Sequence, residues 1–125
     1  MKTAKKILVI ENEKATRKIL VDKLQRENFS VVEAGSGQQG LELALKEHPD
    51  LILLDVFMPN MNGLELINKL HQDDWGKQAP IIILSNISED TQLMSEIKHQ
   101  NYDYLMKTNH NLSSVVEKIK AKLEV

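Results

Sequence analysis

Five residues carry the side chains that metal and phosphoryl chemistry requires: Glu11, Asn12, Asp55, Ser85 and Lys107. Taken singly, each has a plain structural reading. Asp55 suits a turn or cap, Ser85 likewise, Glu11 suits a helix dipole and Lys107 suits solvent. Brought together they do more. Clustered carboxylates repel and call for a hard cation such as Mg²⁺, which takes oxygen ligands in octahedral geometry. An ammonium and a hydroxyl nearby hold phosphate oxygens. A carboxylate set between metal and ammonium can attack a phosphoryl group and become an aspartyl phosphate.

Whether they meet depends on the elements that carry them. Apolar runs of strand character recur at Ile7–Ile10, Phe29–Ala34, Leu51–Leu54, Ile81–Leu84 and Tyr102–Met106. Between and after them lie stretches of helical spacing. Ala15, Ile19, Leu20 and Leu24 read as one helix face, Leu41, Ala44 and Leu45 as a second, and Leu64, Ile67 and Leu70 as a third. Leu93, Met94 and Ile97, preceded by Ser88, give a fourth, and Leu112, Val115, Val116, Ile119 and Leu123 a fifth. Ser36 with Gln39, and Asn62 with Glu65, have capping-box spacing.

A βα unit repeated five times implies an α/β fold: a doubly wound, five-stranded parallel sheet with helices on both faces. The expected strand order is the flavodoxin-like 2-1-3-4-5. In such sheets ligands bind beyond the carboxyl ends of the strands, where the order reverses. Glu11 and Asn12 follow the first strand, Asp55 the third, Ser85 and Asn86 the fourth, and Lys107 the fifth. The topology therefore collects all five residues on one rim.

Bulk properties narrow the class. A chain of 125 residues with 42% hydrophobic and 27% charged residues reads as one domain spanning 1–125. A net charge of −2 gives no reason to expect a nucleic-acid partner, and the absence of cysteine excludes disulfides and thiolate metal sites. No apolar run is long enough for a membrane span, so no membrane partner and a cytoplasmic location are expected. No glycine-rich phosphate loop follows the first strand, which argues against a nucleotide or flavin site.

The segments "ILVIEN", "DLILLDVFMPNMNGLEL", "IIILSN" and "YDYLMK", in this order and spacing, resemble the receiver domain of two-component response regulators, over essentially the whole chain. The resemblance implies that Asp55 is the phosphoacceptor, taking its phosphoryl group from a histidine kinase or phosphotransfer protein with Mg²⁺. It implies a metal pocket of Glu11, Asn12, Asp55 and the Phe57 backbone carbonyl. Lys107 would contact the phosphoryl group, Ser85 would be the switch hydroxyl and Tyr104 the aromatic switch. A downstream protein would be met by the face of the fourth helix, fifth strand and fifth helix. The chain would be no enzyme beyond catalysing its own phosphorylation and dephosphorylation. Because the sequence stops just past the fifth helix, a stand-alone receiver signalling by protein contact is expected.

Four departures qualify the resemblance. Asn12 stands where the family usually has Asp, which predicts weakly bound Mg²⁺; Asn12 also reads as a helix N-cap before Glu13. Glu13, in the first turn, should point away from the pocket. Thr108 stands where Pro usually follows the lysine, which predicts a trans Lys107–Thr108 peptide. Gln100 and Asn101 replace a small Gly-Ala pair, and Asn86 replaces an Ala beside the phosphoryl position. Asn12 and Thr108 keep a rival reading open, a phosphorylation-independent interaction module. The four histidines (His48, His71, His99 and His110) lack metal spacing, Trp75 reads as a local anchor, and Lys118, Lys120 and Lys122 read as a solvated face.

Overall fold

A computed structural model describes residues 4–55, 58, 60–85, 95, 103–106 and 112–125. Strands β1 (Lys6–Ile10), β2 (Ser30–Ala34), β3 (Leu51–Asp55), β4 (Ile81–Ser85) and β5 (Asp103–Met106) form one sheet in the order β2-β1-β3-β4-β5. Every neighbouring pair is parallel. Helices α1 (Lys14–Arg26), α2 (Gly37–Glu47) and α3 (Gly63–Leu70), a 3₁₀ turn at Gly76–Gln78 and a C-terminal helix (Leu112–Leu123) connect and cover it. The predicted helix through Leu93, Met94 and Ile97 lies outside the described residues, as does Ser88; Ser95 alone in that stretch is described, and it is helical.

Alternation along the strands feeds two cores. Leu8, Ile10, Ile52, Leu54, Ile81 and Ile83 face Ala44, Leu66, Ile67 and Leu70 of α2 and α3. Ile7, Val9, Leu51, Leu53, Ile82 and Leu84 face Leu20, Val21 and Leu24 of α1 and Val115, Val116 and Ile119 of the C-terminal helix. β1, β3 and β4 have apolar neighbours on both faces, which is why they read as unbroken apolar runs. Truncating one such side chain, Leu54 for instance, costs about 2–5 kcal/mol.

Two helix stripes differ from the expected ones. In α1 the buried residues are Leu20, Val21 and Leu24, while Ile19 is 53% exposed and Ala15 is exposed. In α2 the buried residues are Gly37, Gly40 and Ala44, and Leu45 is exposed. Gly40 is small because α2 lies tightly on β1: a Cβ there would fall 2.5 Å from Ile10 Cδ1. The caps hold. Ser36 Oγ accepts from Gln39 N at 3.2 Å, and Asn62 Oδ1 accepts from Glu65 N at 2.9 Å. The Gln39 side chain accepts from Gly35 N, one residue before Ser36.

The face read as solvated is at the surface and also carries ion pairs. Lys120 Nζ lies 2.9 Å from Glu27 at the end of α1, and Lys122 Nζ lies 2.9 Å from Asp103 on β5. Lys118 lies 3.9 Å from the same aspartate. Trp75 anchors locally, packed on the α2–α3 core and stacked on His48 with ring centroids 4.4 Å apart.

Candidate phosphoryl and metal site

The register builds the site. Ile10 of β1 pairs with Leu54 of β3, so the next residues, Glu11 and Asp55, stand side by side at the carboxyl end of the sheet. This is the point where strand order reverses, β2 lying on one side of β1 and β3 on the other. Glu11 is 1% exposed and Asp55 4%, the two buried charged residues among those described. Asp55 is level with Leu84, and Ser85 follows on β4. Ser85 is in turn level with Met106, the last residue of β5.

Glu11 is held by its backbone and its carboxylate. Its N–H donates to Ala34 O at 3.1 Å, extending the β1–β2 pairing by one residue. Its carboxylate accepts from Glu13 N at 3.3 Å. Its carbonyl accepts from Arg17 Nη1 at 2.9 Å. Asn12 is exposed in the loop between Glu11 and α1.

The expected Asn12 cap is corrected. The N-cap position is Glu13, with extended backbone and no side-chain capping bond, and the helix begins at Lys14. The tight turn that brings Glu13 N–H onto the Glu11 carboxylate sets the helix start one residue later than the sequence implied. Glu13 is exposed, and its carboxylate accepts from the Thr16 hydroxyl in the first turn of α1.

Lys107, Thr108, Phe57, Asn86, Gln100 and Asn101 lie outside the described residues, as do His99 and His110. Ser85 and Tyr104 are placed as strand residues, Tyr104 level with Ile83. Of the remaining predictions near the loop, Met58 and Met61 are buried against the α2–α3 core and are packing residues.

Sequence reasoning missed Arg17. Its Nε pairs with Glu33 of β2 at 3.1 Å while its Nη1 reaches the Glu11 carbonyl. The signal was present: Arg17 stands three, four and seven residues before Leu20, Val21 and Leu24, a cation on the stripe α1 turns inward.

The donor set fits a hard divalent cation. Two buried carboxylates and a neighbouring amide offer oxygen ligands, and the chain has no cysteine to offer a thiolate. Among the described residues no group of three or more His, Cys, Asp or Glu side chains is positioned for a metal. Among the described residues the buried carboxylates at this rim are those of Glu11 and Asp55.

Comparison with known proteins decides the family. The response regulator receiver domain matches residues 7–120. The chain belongs to the response regulator receiver family. It is 35% identical over 117 residues to the transcriptional regulatory protein SrrA of Staphylococcus aureus, covering 94% of this chain and 47% of that protein. The chain thus spans about half the length of the curated relatives it matches. Among solved structures it is similar to a CheY-like receiver domain protein from Methanospirillum hungatei, with TM-score 0.86 and 27% identity, covering 98% of this chain and 95% of that one. The chemotaxis response regulator CheY4 of Vibrio cholerae matches with TM-score 0.84 and 25% identity, over 96% and 99% of the two chains. The flavodoxin-like receiver fold and the two-component signalling class stand on these likenesses and on the strand order. Receiver domains generally bind Mg²⁺ at their acidic site. Among the described residues no helix is long and apolar enough to cross a membrane.

Proposed function

We propose that the chain is a phosphoacceptor switch in which Asp55 takes a phosphoryl group from a histidine kinase or phosphotransfer protein. One observation carries the reading: two buried carboxylates, Glu11 and Asp55, at adjacent strand ends on the switch-point rim. An Asp55 carboxylate oxygen attacks phosphorus, the phosphorus–nitrogen bond of the donor phosphohistidine breaks, and the leaving imidazole keeps the electron pair and takes up a proton. Glu11, Asp55, Asn12 and the Phe57 carbonyl would hold Mg²⁺. When bound, the ion offsets negative charge on the phosphoryl oxygens. Lys107 would contact the same oxygens from the fifth strand's end. The chain catalyses only its own phosphorylation and dephosphorylation.

Ser85 and Tyr104 would then rearrange and change which protein the β5 and C-terminal-helix face prefers, together with the helix predicted before β5. This is a two-state element biased by one local charge. Incubation with a small acyl phosphate and Mg²⁺, followed by intact mass, tests the reading. One phosphoryl adduct is expected on the unaltered protein and none on Asp55→Asn. An adduct of equal yield on the variant would move the acceptor elsewhere. No adduct on either would favour a phosphorylation-independent interaction module.

A further inference from the structure

We infer that Arg17 is a positioning residue for the metal site: its guanidinium fixes the Glu11–Asn12 peptide, and so the direction in which the two residues present their oxygens. The inference rests on the phosphoacceptor reading above. Arg17 touches no reacting group. Its Nη1 donates to the carbonyl of Glu11 at 2.9 Å, and its Nε donates to Glu33 Oε1 at 3.1 Å. The guanidinium therefore ties the end of β1 to β2 through two separate nitrogens, a geometry one ammonium cannot copy. Its side chain is 18% exposed; the prong to Glu33 faces solvent, while the prong to the Glu11 carbonyl is partly buried.

The peptide held is a sensitive one. Glu11 supplies its carboxylate from one side of that peptide and Asn12 its amide from the other. Alongside the bonds from its N–H to Ala34 O and from Glu13 N to its carboxylate, the Arg17 bond is a tie that reaches the Glu11 carbonyl itself. Gly35 makes room for it: a Cβ at Gly35 would fall 2.9 Å from Arg17 Nη1. Fixing such outer partners matters to metal affinity, because a ligand free to swing loses entropy when it binds.

Charge alone predicts the opposite effect, which makes the test one of sign. Arg17→Gln removes a positive charge near a cation site, so electrostatics predicts tighter Mg²⁺. Positioning predicts weaker binding, by about tenfold, the low end of the range for outer partners of metal ligands. Arg17→Lys keeps the charge and loses the fork, and should not restore affinity. Gly35→Ala keeps every charge and pushes the flexible guanidinium aside; it should also weaken Mg²⁺. It guards against an Arg17 variant that fails to fold.

Mg²⁺ affinity is read by titration calorimetry, and the Asn12 amide resonance is followed in the metal-free proteins, since that N–H belongs to the held peptide. The expected result is weaker Mg²⁺ in Arg17→Gln, Arg17→Lys and Gly35→Ala, with the Asn12 resonance shifted in all three. Equal or tighter Mg²⁺ in folded Arg17→Gln and Gly35→Ala overturns the inference and leaves the phosphoacceptor reading standing. Mg²⁺ that fails to bind the unaltered protein overturns that reading itself.

Discussion

In the proposed metal pocket, Asn12 sets the charge. An amide oxygen can ligate Mg²⁺, but it brings no formal charge beside Glu11 and Asp55, and Coulomb attraction to a divalent ion falls accordingly. Its exposed position means that nothing in the fold requires an amide there, and it does not cap α1. Asn12→Asp should therefore tighten Mg²⁺ by about tenfold or more, read by calorimetric titration, with little change in the metal-free fold. Unchanged affinity would show that the side chain at 12 takes no part in binding. Lys107 is the other single residue on which the proposed mechanism turns. Lys107→Ala should leave Mg²⁺ binding intact or tighter, and should impair the change in partner binding after phosphorylation. Normal switching by that variant would return the advantage to the interaction-module reading. The positions of Glu11, Asp55 and Ser85 at the rim were legible because strand ends in a doubly wound sheet have fixed places. Arg17 was not, because its role runs through a backbone carbonyl and a strand brought alongside by folding.

At the scale of elements, strands were easier to read than helix faces. A strand buried on both sides is simply apolar, and its five strands and their order follow from the run of apolar segments. A helix face depends on phase. At about 100° per residue, Arg17, Leu20, Val21 and Leu24 fall within one arc of α1, whereas Ile19 lies on the far side of Leu20. Counting Ile19 in the stripe moved the predicted face away from the buried one, and a half-exposed isoleucine is the outcome. The lysines of the C-terminal helix lie at the surface as read, but their ion pairs were not legible in the sequence, for a different reason. Their partners, Glu27 and Asp103, are distant in sequence and become neighbours only through the sheet order. These pairs carry a pH signature. The hydrogen bond from Lys122 holds the Asp103 carboxyl below its usual range, and that from Lys120 does the same for Glu27. A depressed carboxylate contributes stability that is present above its unfolded pKa and is lost as the pH falls through its folded one. Lys122→Ala should therefore lower stability slightly at pH 7, by less than about 1 kcal/mol for so exposed a pair. The difference from the unaltered protein should vanish on acidification below the carboxylate range, as read by urea unfolding at a series of pH values. A deficit that persisted in acid would come from lost packing of the lysine stem instead.

Over the whole molecule, the site and the fold are energetically opposed. Two carboxylates are buried at adjacent strand ends, between two cores that give the sheet its rigidity. The strands cannot separate them, because the Ile10–Leu54 register fixes their spacing. Like charges held this close at reduced dielectric repel more strongly than in the unfolded chain, where water screens them, and the contacts that Glu11 and Asp55 make in the fold offset part of that repulsion. Mg²⁺ that binds the native pocket alone stabilises it by mass action, about 1.4 kcal/mol when the ion stands at roughly ten times its Kd. Two consequences can be read in one thermal-unfolding series. Without metal, Asp55→Asn should be more stable than the unaltered protein, by about 1 kcal/mol or more, because one of the two charges is gone. With rising Mg²⁺, the unaltered protein should gain Tm steadily while Asp55→Asn gains little, so the two curves converge. Leu54→Ala, one residue away but apolar, should lose stability at every Mg²⁺ level without changing the slope. If Asp55→Asn is no more stable than the unaltered protein in the absence of metal, the carboxylate pair is already neutralised within the chain, and the metal is not needed to relieve it.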